Sequence, residues 1–222
     1  MIMEKIKLLE KKTGNAIIMK EDNTLNFDAC VDFVNWVDKT ELPKILHRKN
    51  IDEVHILHEL IHLEKFFVDQ YPIIATNDTN LHRELAIFKI IPEDYVAHKI
   101  IFCEYGLDPI DRKWFAGKDN FGLPDKEVAA NLVNFYAFSE FCPEYKDMFD
   151  SFKQRCRQRK VNAYSMGERA IEAFNRMDYT EKDSYSKCAE EIIRIFAWNY
   201  YNEGKMYISF LSKEKNEWHW NP

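Results

Sequence analysis

One segment constrains this chain more than any other. Residues 54–67 read VHILHELIHLEKFF, an apolar run that contains three histidines and two glutamates. Spaced at about 100° per residue, the apolar side chains cover two flanks and the back of a helix, which is typical of a buried helix. His55, His58 and His62 fall on the remaining strip, and Glu59 lies at its edge. Buried polar groups require partners, so the strip predicts either hydrogen-bonded core histidines or a metal site.

The spacing within this segment favours the metal site. Residues 58–62 read HELIH, with two histidines four positions apart. On an α-helix such a pair lies on one face, with Cβ atoms about 5–6 Å apart, and both imidazoles can bind one Zn²⁺. Glu59 projects from the edge of that face, where it can reach an activated water instead of the metal. Structural metal binding does not need this carboxylate, so the pattern favours catalysis.

These residues also resemble a known group of enzymes. LHELIHLE is similar to the metal-binding helix of zincin-type zinc metallopeptidases, with uncharged residues at both middle positions and an apolar residue after the second histidine. The resemblance covers about ten residues. It implies a zincin-like fold, a catalytic Zn²⁺ and hydrolysis of a peptide or protein substrate. It assigns His58 and His62 as metal ligands and Glu59 as general base.

A catalytic zinc takes three protein ligands, so one has to come from another part of the chain. LEKFFVDQY follows His62 and lacks the glycine and third histidine of the metzincin extension. PEDYVAHKII resembles the gluzincin and aspzincin arrangement, in which an acidic ligand is followed four residues later by a group that orients a histidine. It offers Asp94 and His98, with aspartate where glutamate is usual. We expect Asp94 to be the third ligand; Glu93 is the main alternative, and His98 and Glu84 are weaker ones.

Several nearby residues have open roles. Glu93 and Asp94 follow a proline and could simply be acidic residues that the helix dipole favours. Peptide hydrolysis also needs a group that stabilises the oxyanion, and Tyr95, His98 and Tyr164 are candidates among which the pattern does not choose. His55 is expected to be a hydrogen-bonded core histidine more than a support for the ligands. Asp69 is expected to be a carboxylate at the helix end or on the surface.

Turn signals and apolar patterns predict an α+β fold that is mainly helical, with a small N-terminal β-hairpin or sheet and a helical C-terminal half. Residues 15–29 alternate around the turn signal EDN and predict the hairpin. Residues 29–37 have valines at a helical spacing. The metal-binding helix is expected to begin at Asn50 or Asp52 and to end before Pro72.

The next segments predict a connection followed by two helices. Residues 41–50 read as a connection, 81–91 as a helix and 92–106 as a second helix. Pro92 suits a first helical position, and Gly106 suits a helix end. Together, residues 1–222 are expected to form a single zincin-like domain, with a metal-binding core in 1–106 and a mostly helical subdomain in 107–222.

The second half begins with a turn-rich segment, residues 107–124, which is long enough to form an active-site wall. Ser165 and Glu168 have the spacing of a capping box, which predicts a helix start. The remainder predicts further helices at 125–138 and 189–201 and a final strand at 205–211. The basic segment 153–160 is expected to be the solvated face of an amphipathic helix, and the tail 216–222 is expected to pack onto the body.

Composition excludes several functional classes. A net charge of −6 gives no reason to expect binding to nucleic acid or to an acidic membrane surface. No apolar run approaches the ~20 residues of a membrane span, and the N-terminus lacks the pattern of a secretory signal. The five cysteines have no short metal-ligand spacing and indicate reduced, mostly buried thiols in the cytoplasm.

Two functions of different class remain. The first is a zinc metallopeptidase acting on a peptide or protein. The second is a non-catalytic metal-binding or regulatory interaction protein on a zincin scaffold. A di-iron helical protein is a weaker third, because it needs two Glu-x-x-His units. Glu59 and His62 form one such unit, and PEDYVAH does not supply another with the same spacing.

Overall fold

The computed structural model describes residues 1–26, 28–33, 36, 38–109, 120–214 and 217–221, except for the side chains of residues 82–90 and 220. These residues form an α+β fold that is about 60% helical, as predicted. The helices are α1 (Ile2–Thr13), α2 (Glu53–Leu63), α3 (His82–Tyr105), α4 (Asp125–Phe141), α5 (Lys146–Arg159), α6 (Val161–Arg176) and α7 (Lys182–Asn202). The strands are β1 (Met19–Glu21), β2 (Ala29–Val31), β3 (Ile45–His47), β4 (Ile73–Thr76), β5 (Met206–Glu214) and β6 (Glu217–Asn221).

Helix α2 forms where the apolar pattern predicts it. The side chain of Asp52 accepts a hydrogen bond of 3.1 Å from the amide of Val54 and caps the helix. After Leu63 the chain continues as one π-helical turn, Glu64–Val68, and so ends before Pro72 as predicted. Its apolar residues are buried: Ile56, Leu57, Leu60, Ile61 and Leu63. The burial leaves the histidine strip as the polar face of α2.

The N-terminal helix supports the end of α2. Helix α1 packs against α2 and the π-helical turn. Lys5 and Lys12 of α1 both form ion pairs with Glu64, which is nearly buried, and Leu9 packs into the core. A buried carboxylate is stable only when it is paired, so these two lysines hold the turn that follows α2.

Helix α3 differs from the prediction. It is one continuous helix through Pro92, not two helices that meet there. Proline removes one backbone hydrogen bond from a helix, but the chain still gains from burying side chains on both sides of it. Ile91, Val96 and Ile101 are buried, and α3 packs against α2, α4 and α7. Gly106, with φ of 66°, ends the helix as predicted.

The predicted small N-terminal sheet is confirmed, but the hairpin around EDN is wrong, because β1 and β2 do not pair with each other. Strand β3 lies between β1 and β2, pairing in parallel with β1 and antiparallel with β2. The central strand therefore comes from residues 41–50, which the sequence suggested were a connection. The helix predicted at 29–37 is also wrong at its start, where Ala29–Val31 is a strand; residues 34, 35 and 37 lie outside the described part. Valines at helical spacing are also good strand formers, so the pattern was ambiguous.

The second sheet joins distant parts of the chain. Strand β5 lies between β4 and β6 and pairs antiparallel with both. Strand β5 confirms the predicted final strand but extends it to Glu214. The tail forms β6 and packs onto the body as predicted, with Trp218 buried against Phe67. This sheet therefore closes over the turn that follows α2.

The C-terminal half is largely helical, as predicted. Helix α5 buries Phe149, Phe152 and Cys156 and leaves most of its basic residues at the surface, which confirms the amphipathic interpretation of 153–160. The capping box is wrong, because α6 begins at Val161 and Ser165 lies inside it. Within the described ranges, each helix is too short or too polar to cross a lipid bilayer.

Candidate metal centre

The two histidines of α2 lie side by side, as the i and i+4 spacing requires. The Nε2 atoms of His58 and His62 are 2.7 Å apart, and their ring centroids are 4.5 Å apart. Both imidazoles are mostly buried, with 15% and 11% of the side chain exposed. The histidine strip therefore faces another part of the protein, and that part is α3.

Helix α3 brings Asp94 to this pair. Its Oδ1 atom is 3.3 Å from Nε2 of His58 and 3.4 Å from Nε2 of His62. The three ligand atoms lie within 4.8 Å of one another, and this is the one such group of histidine, cysteine or acidic residues among the described side chains. Asp94 is 35% exposed, so the cluster opens to solvent on its aspartate side. The structure thus brings together the three ligands that the sequence predicted.

The spacing of the three atoms fits a metal ion. Ligands bound tetrahedrally at ~2.0–2.1 Å lie about 3.3 Å apart, which matches both distances from Asp94. The two imidazole nitrogens are at hydrogen-bond distance and would have to separate by about 0.6 Å to share the ion. Two imidazoles and one carboxylate suit Zn²⁺, and the same set also suits Fe²⁺, so the donors do not identify the metal.

The charges of the cluster support each other. Burial would raise the pKa of Asp94, but the hydrogen bonds and positive charges of His58 and His62 outweigh burial and lower the pKa well below its usual range. Burial would lower the pKa of His62, but Asp94 together with Glu59 and Glu93 outweighs burial and raises the pKa. Asp94 is therefore ionised at neutral pH, in the form that binds metals.

Glu59 lies outside the cluster and is held by a strand. Its Oε2 atom accepts a hydrogen bond of 2.9 Å from the amide of Val31 in β2. Cys30 is opposite Leu46 of β3 in an antiparallel pair. Backbone groups alternate in direction along such a strand, so those of Val31, the next residue, point away from β3. The amide of Val31 thus points from the outer edge of the sheet towards α2. The predicted base is therefore anchored through Oε2 by its backbone partner.

Glu93, the alternative ligand, is not part of the cluster. It lines a gap of about 10 Å³ together with His62, Tyr71 and Tyr185. Successive residues of a helix point about 100° apart, so Glu93 and Asp94 cannot face α2 in the same way. The side chain of Glu84 lies outside the described part of the molecule. Residues 110–119 of the expected active-site wall also lie outside it.

Of the three oxyanion candidates, His98 lies closest to the ligands. Its ring centroid is 4.9 Å from that of His58 and 5.7 Å from that of Phe138. Burial, followed by the charge of His58, lowers the pKa of His98 to about 3. Tyr95 instead donates a hydrogen bond of 2.5 Å to Glu140, and Tyr164 donates one of 3.1 Å to Glu168. Both tyrosines thus have partners away from the three ligands.

His55 differs from the expected core histidine. Its Nε2 atom is 3.3 Å from Oδ2 of Asp28, in the loop before β2, and 30% of the side chain is exposed. Asp69 caps the end of the π-helical turn and pairs with Lys65 at 2.9 Å, which confirms the helix-end interpretation. The sequence missed Asp28 and Val31, because both lie in a segment whose pairing was predicted incorrectly.

Comparison with known proteins identifies no relative: no protein-family model, no curated protein and no solved structure matches this chain. The resemblance to zincin-type enzymes therefore rests on the short segments around HELIH and PEDYVAH alone. What the protein does has to be inferred from the chemistry of the site.

Proposed function

We propose that this protein is a zinc-dependent metallopeptidase, in which His58, His62 and Asp94 bind the metal and Glu59 is the general base. One observation carries the proposal. Three ligand atoms from two helices meet at a partly open position, while an additional carboxylate is held beside them and not among them. Metal binding alone does not require that fourth group, whereas hydrolysis requires a base at this position.

When bound, the metal would act as a Lewis acid towards water and the peptide carbonyl. Glu59 takes the proton from the attacking water on Oε1 and then delivers it to the nitrogen of the departing amine. The amide of Val31 keeps Oε2 occupied and so orients the carboxylate. His98 is the proposed oxyanion donor, since an imidazole carries an N–H whether it is neutral or charged.

The proposal includes a peptide or protein substrate and a cytoplasmic location. All five cysteines are free thiols, and Cys142, Cys156 and Cys188 are buried. Free thiols in this number are typical of a reducing compartment.

The second candidate is a non-catalytic metal-binding or regulatory interaction protein. The hydrogen bond between Glu59 and Val31 also fits this function, because it attaches the sheet to α2 whether or not the carboxylate moves a proton.

Metal analysis combined with a peptidase assay tests the proposal. We expect about one zinc ion per chain in the wild type and in Glu59→Gln, and loss of the metal in His62→Ala. Glu93→Gln is the matched control on α3 and should keep the metal. Peptidase activity against a mixture of candidate proteins should be present in the wild type and absent in Glu59→Gln.

Each other outcome selects a different conclusion. A folded wild-type protein that neither contains nor takes up zinc contradicts the metal site. Bound iron would replace zinc in the assignment. Full metal binding with equal behaviour of wild type and Glu59→Gln against all substrates would favour the non-catalytic candidate.

A further inference from the structure

A polar cleft of about 300 Å³ lies beside the N-terminal end of α2. One wall is the loop between β1 and β2, another is the loop from β3 to α2, and the third is His55. The mechanism above uses none of these groups, although the cleft lies on the elements that position the proposed base.

Hydrogen bonds hold the walls together. The amide of Lys49 donates to Oδ1 of Asn23 at 3.0 Å, and the amide of Arg48 donates to the carbonyl of Asp28 at 2.9 Å. Each bond joins the loop before α2 to the loop before β2. The cleft is therefore formed by the fold itself and does not need a ligand to assemble it.

The charged groups in the cleft are unequally paired. Asp28 is paired with His55, and Asp52 accepts the capping hydrogen bond from Val54. By contrast, the charged groups of Arg48 and Lys49 make no ion pair or hydrogen bond within the part of the chain that the structure describes. Asp28 and Asp52 each have one partner, whereas the two cations have none among the described residues, so the cations are the groups of the cleft that remain to bind a ligand, and we expect that ligand to be anionic.

The cleft adjoins the proposed metal centre. His55 precedes His58 by three residues on the same strip of α2, a rise of about 4.5 Å. Asp28 precedes Val31, which holds Glu59, by three residues of β2 and its lead-in. An extended peptide advances about 3.3 Å per residue, so a side chain within about three residues of the cleaved bond can reach the cleft.

We propose that this cleft is a specificity subsite for an acidic side chain, glutamate or aspartate, of the peptide substrate, and that Arg48 and Lys49 recognise its carboxylate. The assignment rests on the proposed function for the nature of the ligand. Two adjacent cations match one carboxylate. Asp28 and Asp52 also line the cleft, and the chain has a net charge of −6, so the surroundings disfavour a polyanion such as nucleic acid.

A binding measurement tests the cleft without requiring catalysis. N-acetyl-glutamate N-methylamide is titrated into the zinc-loaded Glu59→Gln protein, and amide shifts are followed by NMR. We expect saturable shifts at Asn23, Lys49 and His55 in the millimolar range. The uncharged glutamine analogue should bind at least about tenfold more weakly, because it lacks the charge-assisted contacts.

Variants assign the effect to the two cations. The double substitution Arg48→Gln with Lys49→Gln should abolish the preference for glutamate. Both side chains are exposed, so the fold should be retained, as amide dispersion will show. Arg157→Gln removes an exposed cation from α5 and should leave binding unchanged. Equal shifts with both probes, or shifts that survive the double substitution, would overturn the subsite; tighter binding of inorganic phosphate than of the glutamate probe would overturn its assignment to a carboxylate.

A cleavage arm separates this inference from the proposed function. Peptides that differ only in glutamate or glutamine near the cleaved bond should differ in kcat/KM with the wild type and not with the double variant. Cleavage without this difference contradicts the subsite and leaves the peptidase standing. Glutamate binding in the cleft without any cleavage would support the anion-binding cleft and contradict the peptidase.

Discussion

Asp94 and Tyr95 are successive residues of α3, and each belongs to a different polar cluster. The two clusters differ in whether each acceptor atom has its own hydrogen-bond donor. Asp94 faces α2, where its carboxylate meets two imidazoles. Tyr95 points to α4, where its hydroxyl donates to Oε2 of Glu140 at 2.5 Å. Tyr136 donates to Oε1 of Glu140 at 2.6 Å, so each carboxylate oxygen of Glu140 has its own donor.

Both carboxylate oxygens of Glu140 thus have a partner, and the hydroxyl of Tyr136 also contacts Oδ1 of Asn175. Burial, together with Glu140, raises the pKa of Tyr95 far above its usual range, so its hydroxyl remains a donor. Lys99 adds an ion pair at 3.6 Å. Around Asp94, in contrast, three atoms that can each bind a metal lie within 4.8 Å of one another. A complete network stabilises a fold, whereas a convergence of such atoms indicates a site for a cation. Variants on the two sides of α3 can test this distinction.

The largest expected effect is on metal binding. Asp94→Asn keeps the shape of the side chain but removes the charge, and should weaken zinc binding more than about 100-fold, the upper range for loss of a supporting group. Glu140→Gln is the matched change on the other side and should leave affinity unchanged within error. Competition with a chromogenic chelator measures both. Equal loss in the two variants would mean that the metal is not bound at Asp94.

The next effect is on thermal stability. A metal at 100 times its Kd stabilises the folded state by about 2.7 kcal/mol. For a chain of this size that corresponds to about 5–10 °C in Tm. Removal of metal with a chelator should therefore lower the Tm of the wild type and of Glu140→Gln by this amount, and should not change the Tm of Asp94→Asn. Differential scanning calorimetry gives the comparison, and a chelator-independent wild-type Tm would contradict it.

The third expected effect is a loss of stability when a hydrogen bond to Glu140 is removed. Tyr95→Phe removes one donor to Glu140 in a buried position and should lower the free energy of unfolding by about 1–2 kcal/mol. Metal affinity should stay at the wild-type value, because the hydroxyl faces away from the ligands. Urea unfolding of metal-free protein, followed by zinc titration of the same preparation, measures both quantities. A loss of metal affinity here would show that the two sides of α3 are coupled.

The difference between the two clusters also explains what could be predicted. His58 and His62 were predictable because their proximity follows from four residues of one helix. Asp94 required a second helix to pack against the first, and the sequence supported it through a matching i and i+4 pattern. Tyr95 was a reasonable oxyanion candidate by position, but its direction depends on Glu140, 45 residues later in the chain.

Other features depended on pairing that the sequence does not encode locally. Strand β3 separates β1 from β2, and nothing in the turn signal around EDN indicates a third strand. The contact of Glu59 with Val31 uses a backbone amide, which every residue except proline has, so no residue type indicates it. The pairing of His55 with Asp28 follows from the same unpredicted strand. Local spacing thus predicted the three residues that the structure brings together, and long-range pairing determined their surroundings.

The smallest effect is a pH dependence of the metal-free protein. The pKa of His62 is raised from 6.5, so its stabilising contribution is full below about 6.5 and is lost as pH rises through the folded-state value. The pKa of Asp94 is lowered from 3.8, so its contribution is present above about 3.8 and is lost only in stronger acid. The ion pair should therefore favour folding most between about pH 4 and 6.5, by less than about 1 kcal/mol because Asp94 is partly exposed.

Metal binding should respond to pH in the opposite direction, because zinc competes with protons for the imidazoles and its affinity falls as pH decreases from 8 to 5.5. Without zinc, the difference in free energy of unfolding between the wild type and Asp94→Asn should therefore be larger at pH 5.5 than at pH 8. With zinc bound, the same difference should be smaller at pH 5.5 than at pH 8. Urea unfolding at the two pH values, with and without chelator, gives the four measurements. The difference in free energy of unfolding between the wild type and Glu140→Gln should respond to pH with the same sign whether zinc is bound or has been removed by the chelator. A change in sign would mean that the pH response belongs to the molecule as a whole and not to the group formed by His58, His62 and Asp94.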